Sequence, residues 1–150
     1  MLILMQTVLT TLLAVSTVNP HFEPYIGNWG CTPVATTGTR AFTMNIKEVN
    51  GTTLGIQGRN IFPGQGRAQQ YHTLTRSEDG VWTFDKGLVP YPYSGRANGS
   101  GTIIFERPGG NQDRLYWQLS PDGQTLRFAP YKTTSFQTEI QNHMVTCQRA

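Results

Sequence analysis

Residues Tyr25–Val34 read YIGNWGCTPV. The stretch follows an apolar N-terminus and carries Cys31; the only other cysteine is Cys147, in Thr146-Cys147-Gln148-Arg149 near the far end. Side chains of a strand alternate between faces, so Tyr25, Gly27, Trp29 and Cys31 share one face. Two cysteines admit one pairing, and bridged cysteines hold their Cα atoms within about 7 Å. If Cys31 lies on the first strand and Cys147 on the last, a bridge makes those strands neighbours. A meander achieves that by closing into a barrel. The alternative is two buried free thiols.

Working outward, the chain reads as strands and turns. Ala41–Lys47 alternates apolar and polar residues, the period of a half-buried strand. Asn50-Gly51 signals a hairpin, and Thr53–Gln57 returns with Leu54 and Ile56 inward. Residues 58–66 read as a loop and 68–76 as a strand, with His72 and Leu74 on one face and Tyr71 on the other. Trp82 and Phe84 share a face in 81–84; residues 86–99, rich in Gly, Pro, Tyr and Asn, read as irregular. Strands follow at 101–106, 115–119 and 125–128, separated by turns at Pro108–Asn111 and Ser120–Gly123, and the last strand spans Glu139–Arg149. These nine candidate strands are joined mainly by hairpins, with no crossover long enough for a helix. The expected fold is all-β, a single antiparallel meander barrel of eight to ten strands, which leaves no exposed sheet edge.

At this point the residues resemble a known family. Gly27-Asn28-Trp29 on an opening strand is similar to the Gly-x-Trp signature of lipocalin and wider calycin barrels. Trp29-Gly30-Cys31 paired with Thr146-Cys147-Gln148-Arg149 also resembles small secreted lipocalin-like bacterial proteins. The resemblance implies a barrel base in which Trp29 sits at the closed end and Arg149 lies across it. Counterparts of the other lipocalin motifs and a C-terminal helix pattern are absent.

The N-terminus suggests export. Leu2–Val18 is apolar but diluted by Thr7, Thr10 and Thr11, and Ala14-Val15-Ser16 offers small residues at signal-peptidase spacing. Residues 1–18 are read as a signal peptide, despite the absence of any Lys or Arg before Arg40, and 19–150 as one barrel domain. An uncleaved anchor or a structural helix are the alternatives. No stable membrane span is expected, since the apolar run is near the lower limit of about 17 residues. A secreted or periplasmic location would oxidise the cysteines.

Composition narrows the function classes. The 150 residues contain 16 Gly and carry 14% charged residues, below the roughly 25% of ordinary soluble domains. Net charge is +3, but no two basic residues are adjacent, so no run exists to track phosphates and nucleic acid is not an expected partner. No Gly-x-Ser-x-Gly, His-Glu-x-x-His or carboxylate cluster appears, so no catalytic residue, metal or cofactor is assigned. A haem-type axial role for His72 or His143 is outweighed by that of an ordinary hydrogen-bonded or surface histidine. Asn50-Gly51-Thr52 and Asn98-Gly99-Ser100 match the glycosylation pattern, but Asn-Gly turns are needed there anyway.

Phe42, Met44, Trp82, Phe84, Phe105, Trp117, Phe128 and His143 are the candidates to line an interior cavity. His143 faces inward if the last strand keeps the parity of Cys147. A barrel of about eight strands either just fills with side chains or holds one small ligand. The first functional expectation is an exported carrier or sensor of a small apolar ligand. The second is a filled barrel acting as an interaction or inhibitory module through its loops, with Tyr91 and Tyr93 as an aromatic lid. An enzyme comes last. Oligomeric state is not legible.

Overall fold

The computed structural model describes residues 18–34, 40–59, 61, 69–85, 92–107, 113–132 and 141–150. Ten strands form a closed antiparallel barrel: β1 (Gly27–Pro33), β2 (Phe42–Asn50), β3 (Thr53–Arg59), β4 (Gln69–Arg76), β5 (Val81–Asp85), β6 (Tyr93–Arg96), β7 (Thr102–Glu106), β8 (Asp113–Leu119), β9 (Thr125–Lys132) and β10 (Val145–Arg149). Each strand pairs with its sequence neighbours, and β1 pairs with β10 to close the ring. Cys31 falls opposite Cys147 in that last ladder. The two are bonded, with Cα atoms 4.0 Å apart.

Two strand assignments from sequence need correction. Residues 93–96, read within an irregular segment, form β6. The last strand begins at Val145 rather than Glu139, because residues 141–143 are helical. His143 therefore precedes the strand and is exposed, so the parity of Cys147 does not reach it.

Period-two patterning decides the inside. Phe42, Met44 and Ile46 on β2, Leu54 and Ile56 on β3, Trp82 and Phe84 on β5, and Leu126 and Phe128 on β9 are all buried, while their neighbours along each strand face outward. The expected hairpin at Asn50-Gly51 joins β2 to β3. Gly51 is not among the glycines with positive φ. Instead the Asn50 Oδ1 accepts from Thr52 N (3.1 Å) and Thr52 Oγ1 (2.7 Å), an Asx-turn arrangement, and a register shift between Glu48 and Asn50 leaves Val49 as an extra residue.

The two ends of the barrel differ. At one end the connections are residues 51–52, 77–80, 97–101 and 120–124, two to five residues each. At the other they are 34–41, 60–68, 86–92, 107–112 and 133–144, six to twelve residues each. The short turns are held by side-chain oxygens. Ser77-Glu78-Asp79-Gly80 and Ser120-Pro121-Asp122-Gly123 repeat one design. The serine hydroxyl donates to the aspartate two residues on and accepts the N–H of the returning strand, and glycine takes a positive φ of 93° or 72°.

Candidate functional site

The short-turn end is sealed. A 3-10 turn, Glu23–Tyr25, starts with Pro24 in its first positions and drops Phe22 and Tyr25 into the barrel. Their rings lie 5.8 Å from that of Trp82, and Tyr25 lies 6.1 Å from Trp117. Trp29 is fully buried and donates its Nε1–H to Tyr25 O at 3.0 Å. Arg149 spans this plug. Its Cζ stands 4.4 Å from the Trp29 ring centroid, and its guanidinium donates to Ile26 O and Gly123 O, both at 2.8 Å, and to Pro24 O. A planar guanidinium is suited to this, because it can stack on an indole face while its edge donates several hydrogen bonds. Burial raises the Tyr25 phenol above its ordinary value, and the nearby Trp117 indole acts in the opposite direction.

Of the residues assigned to a cavity, Met44, Trp82, Phe84, Phe105, Trp117 and Phe128 point into the barrel, and Phe42 lies inside near the long-connection end. They pack on one another. Phe84 contacts Trp117 (5.6 Å) and Phe105 (5.8 Å), and Trp117 stacks on Phe128 (5.5 Å). Leu54, Ile56, Leu74, Phe84, Ile103, Phe105, Leu115, Trp117, Leu126, Phe128 and Val145 are all 0% exposed. These side chains leave no surface open to solvent. The interior at this level is a packed core.

Two polar groups break the apolar wall. His72, 1% exposed, stacks on Phe84 at 5.7 Å with an interplanar angle of 29°, and its Nε2 lies 3.3 Å from Gln70 Oε1. Both sit on β4 toward the long-connection end. Among the described residues no group of three or more His, Cys, Asp or Glu is arranged to hold a metal. No described helix is long and apolar enough to cross a membrane. Tyr93 is buried, with Arg107 Cζ 5.8 Å from its ring centroid, so it does not offer an exposed lid. Its expected companion Tyr91 lies outside the described residues, as do residues 1–17 of the segment read as a signal peptide.

A scan of protein-family models and a search of curated proteins find no match to this chain. The closed ten-strand meander is compatible with a lipocalin-like barrel.

A second feature lies on the outer wall. A groove of about 1060 Å³ crosses β1, β2 and β3, faced by the side chains of Asn28, Thr32, Thr43, Asn45 and Gln57, with Gly30 in its floor and Arg59 at one edge. One register row runs Asn28–Asn45–Gln57–Tyr71 across four strands. Asn45 Nδ2 donates to Asn28 Oδ1 at 2.7 Å. Tyr71 is 50% exposed. Its ring leans over Gly55, where a Cβ would come within 2.8 Å of the hydroxyl.

Sequence reasoning missed both this groove and the Phe22–Tyr25 plug. For the groove a signal existed: Asn28, Thr32, Thr43, Asn45 and Gln57, at outward positions of the first three strands, are uncharged and polar. No local pattern marked the plug.

Proposed function

We propose that this protein is an exported binding module built on a solid barrel, recognising a protein partner through the end that bears the five long connections. The observation that carries the reading is the aromatic layer around Phe84, Trp117 and Phe128, which is wholly buried and leaves no room for cargo at that level. Such a core fixes strand ends rigidly. Long connections on a rigid scaffold are where recognition residues concentrate, and here all of them emerge on one side while the other is clamped by Arg149. Export is supported by the apolar N-terminus and by the Cys31–Cys147 bridge, which suits an oxidising compartment. Cleavage after Ser16 would leave a chain that begins just ahead of the plug.

The test has two arms. Titration with 1-N-phenylnaphthylamine, a small apolar fluorophore, should give no saturable signal. Replacing residues 86–92 with a short Asn-Gly turn should leave the melting temperature within a few degrees while abolishing partner capture from the surrounding fluid.

A second reading, the carrier of a small apolar ligand, is favoured by the aromatic cluster itself and by the His72–Gln70 pair within it. Uptake of one fluorophore per chain, with quenching of tryptophan emission, would move recognition to the interior and overturn the first reading.

A further inference from the structure

Gly30 lies in the middle of β1, where glycine is a poor choice: it loses the most conformational freedom on folding and offers nothing to pack. The other glycines within strands answer to crowding. A Cβ at Gly95 would lie 2.2 Å from Ile104 O, one at Gly58 2.9 Å from Thr43 O, and one at Gly55 2.8 Å from Tyr71 Oη. A Cβ at Gly30 would meet nothing closer than Gln148 O at 4.0 Å, and its φ is not positive. The fold does not demand glycine there. The missing side chain leaves open the floor of the outer-wall groove.

We propose that this groove binds a neutral oligosaccharide. The side chains facing it are amides and hydroxyls, each both donor and acceptor, as are sugar hydroxyls. The Asn45–Asn28 hydrogen bond holds the two amides against each other in advance. Preorganised polar groups lose less on binding. Among the described residues Arg59 is the one cation on the lining and sits at its edge, too little to favour a polyanion. Trp29, Cys31, Phe42 and Met44 also line it but turn their side chains into the barrel, so Ala41 and Ala150 are the apolar side chains offered to a lipid by the described residues. Beside Gln57, Tyr71 supplies an exposed aromatic ring held down against Gly55, a surface on which the C–H face of a pyranose can stack. The row from Asn28 to Tyr71 crosses three strand spacings, roughly 14 Å, which suits a few linked rings rather than one. This site lies on the wall of β1–β3 and meets the long-connection end only at Ala41 and beside Thr32 and Arg59.

The experiment applies the intact, disulfide-bonded protein to immobilised neutral and acidic glycans, then titrates the best neutral trisaccharide by calorimetry with chemical-shift mapping. Saturable one-site binding is expected, with shifts clustered on the outward residues of β1–β4. Gly30→Val should weaken it at least tenfold without lowering the melting temperature, since the Cβ has space and valine favours strands. Tyr71→Ala should weaken it about as much. The proposal is overturned if no neutral glycan binds, if Gly30→Val binds as wild type, or if shifts map to the long-connection end. It is equally overturned if only acidic glycans bind and Arg59→Ala abolishes the effect.

Discussion

At the scale of single residues, the sealed base concentrates the largest effects. Trp29 is fully buried beneath the Arg149 guanidinium and is pinned by its own N–H to Tyr25 O. Trp29→Ala removes a large apolar surface and leaves a cavity that the surrounding barrel cannot close, so it should cost about 3 to 5 kcal/mol in urea unfolding. A loss under about 1 kcal/mol would show that the plug holds without it. The Ser-x-Asp-Gly turns work on a smaller scale. The Ser120 hydroxyl, then the Gln124 N–H, hold the Asp122 carboxyl below its ordinary value, and Ser77 does the same for Asp79. The carboxylate form is therefore favoured by folding. Its contribution is present above the unfolded value, near 3.9, and is lost as pH falls through the lower folded value. Both aspartates are fully exposed, so the effect is local. A carbon-NMR titration of Asp122 should show a midpoint below that of a free aspartate, and Ser120→Ala should move it upward. An unchanged midpoint would remove the hydroxyl from the account.

At the scale of elements, β6 is the weakest member of the ring. It has four residues and a single register pair with β7, Ser94↔Glu106. Gly95 lets the two backbones approach, and a Cβ there would collide with Ile104 O. Gly95→Ala should destabilise by about 1 to 3 kcal/mol through forced backbone shifts, with faster amide exchange in β5–β7 than in β1–β3. Wild-type stability would mean the strand moves aside freely. The same strand marks the limit of what the sequence discloses. β2 and β3 are legible because their inward residues recur every second position, Phe42, Met44 and Ile46 on one and Leu54 and Ile56 on the other. β6 is not: with four residues, two of them Ser94 and Gly95, it carries almost no period, and its pairing is decided by backbone proximity. The plug is illegible for a related reason, since three residues of 3-10 turn cannot display periodicity and Phe22 and Tyr25 find their partners 60 and 57 positions later at Trp82. The helical residues 141–143 interrupted an apolar alternation that looked like strand. The groove depends on cross-strand register among Asn28, Asn45, Gln57 and Tyr71, which a linear pattern does not contain.

At the scale of the whole molecule, closure and filling are one problem. Ten strands enclose more space than the roughly eight at which side chains just meet, and this barrel fills it with aromatic rings, including all three tryptophans. A ring of strands has one seam where the chain's ends meet, β1 against β10, and there the only covalent cross-link is placed, joining residues 116 positions apart. Constraining so long a loop in the unfolded chain should contribute up to about 4 to 5 kcal/mol in loop-entropy models. Both cysteines are buried, Cys31 at 2% and Cys147 at 0% exposure, so a reductant reaches the bond only after the seam opens. Two outcomes follow for one experiment. The native protein should resist millimolar dithiothreitol at room temperature, with reduction tracking global unfolding as temperature rises. Once reduced, it should unfold at lower urea, by a few kcal/mol, and Cys147→Ser should reproduce that shift while losing all sensitivity to reductant. Rapid reduction without loss of the β1–β10 amide protection would mean that the seam breathes independently of the core, and equal stability of reduced and oxidised protein would place closure on the five-pair ladder and the Arg149 clamp alone.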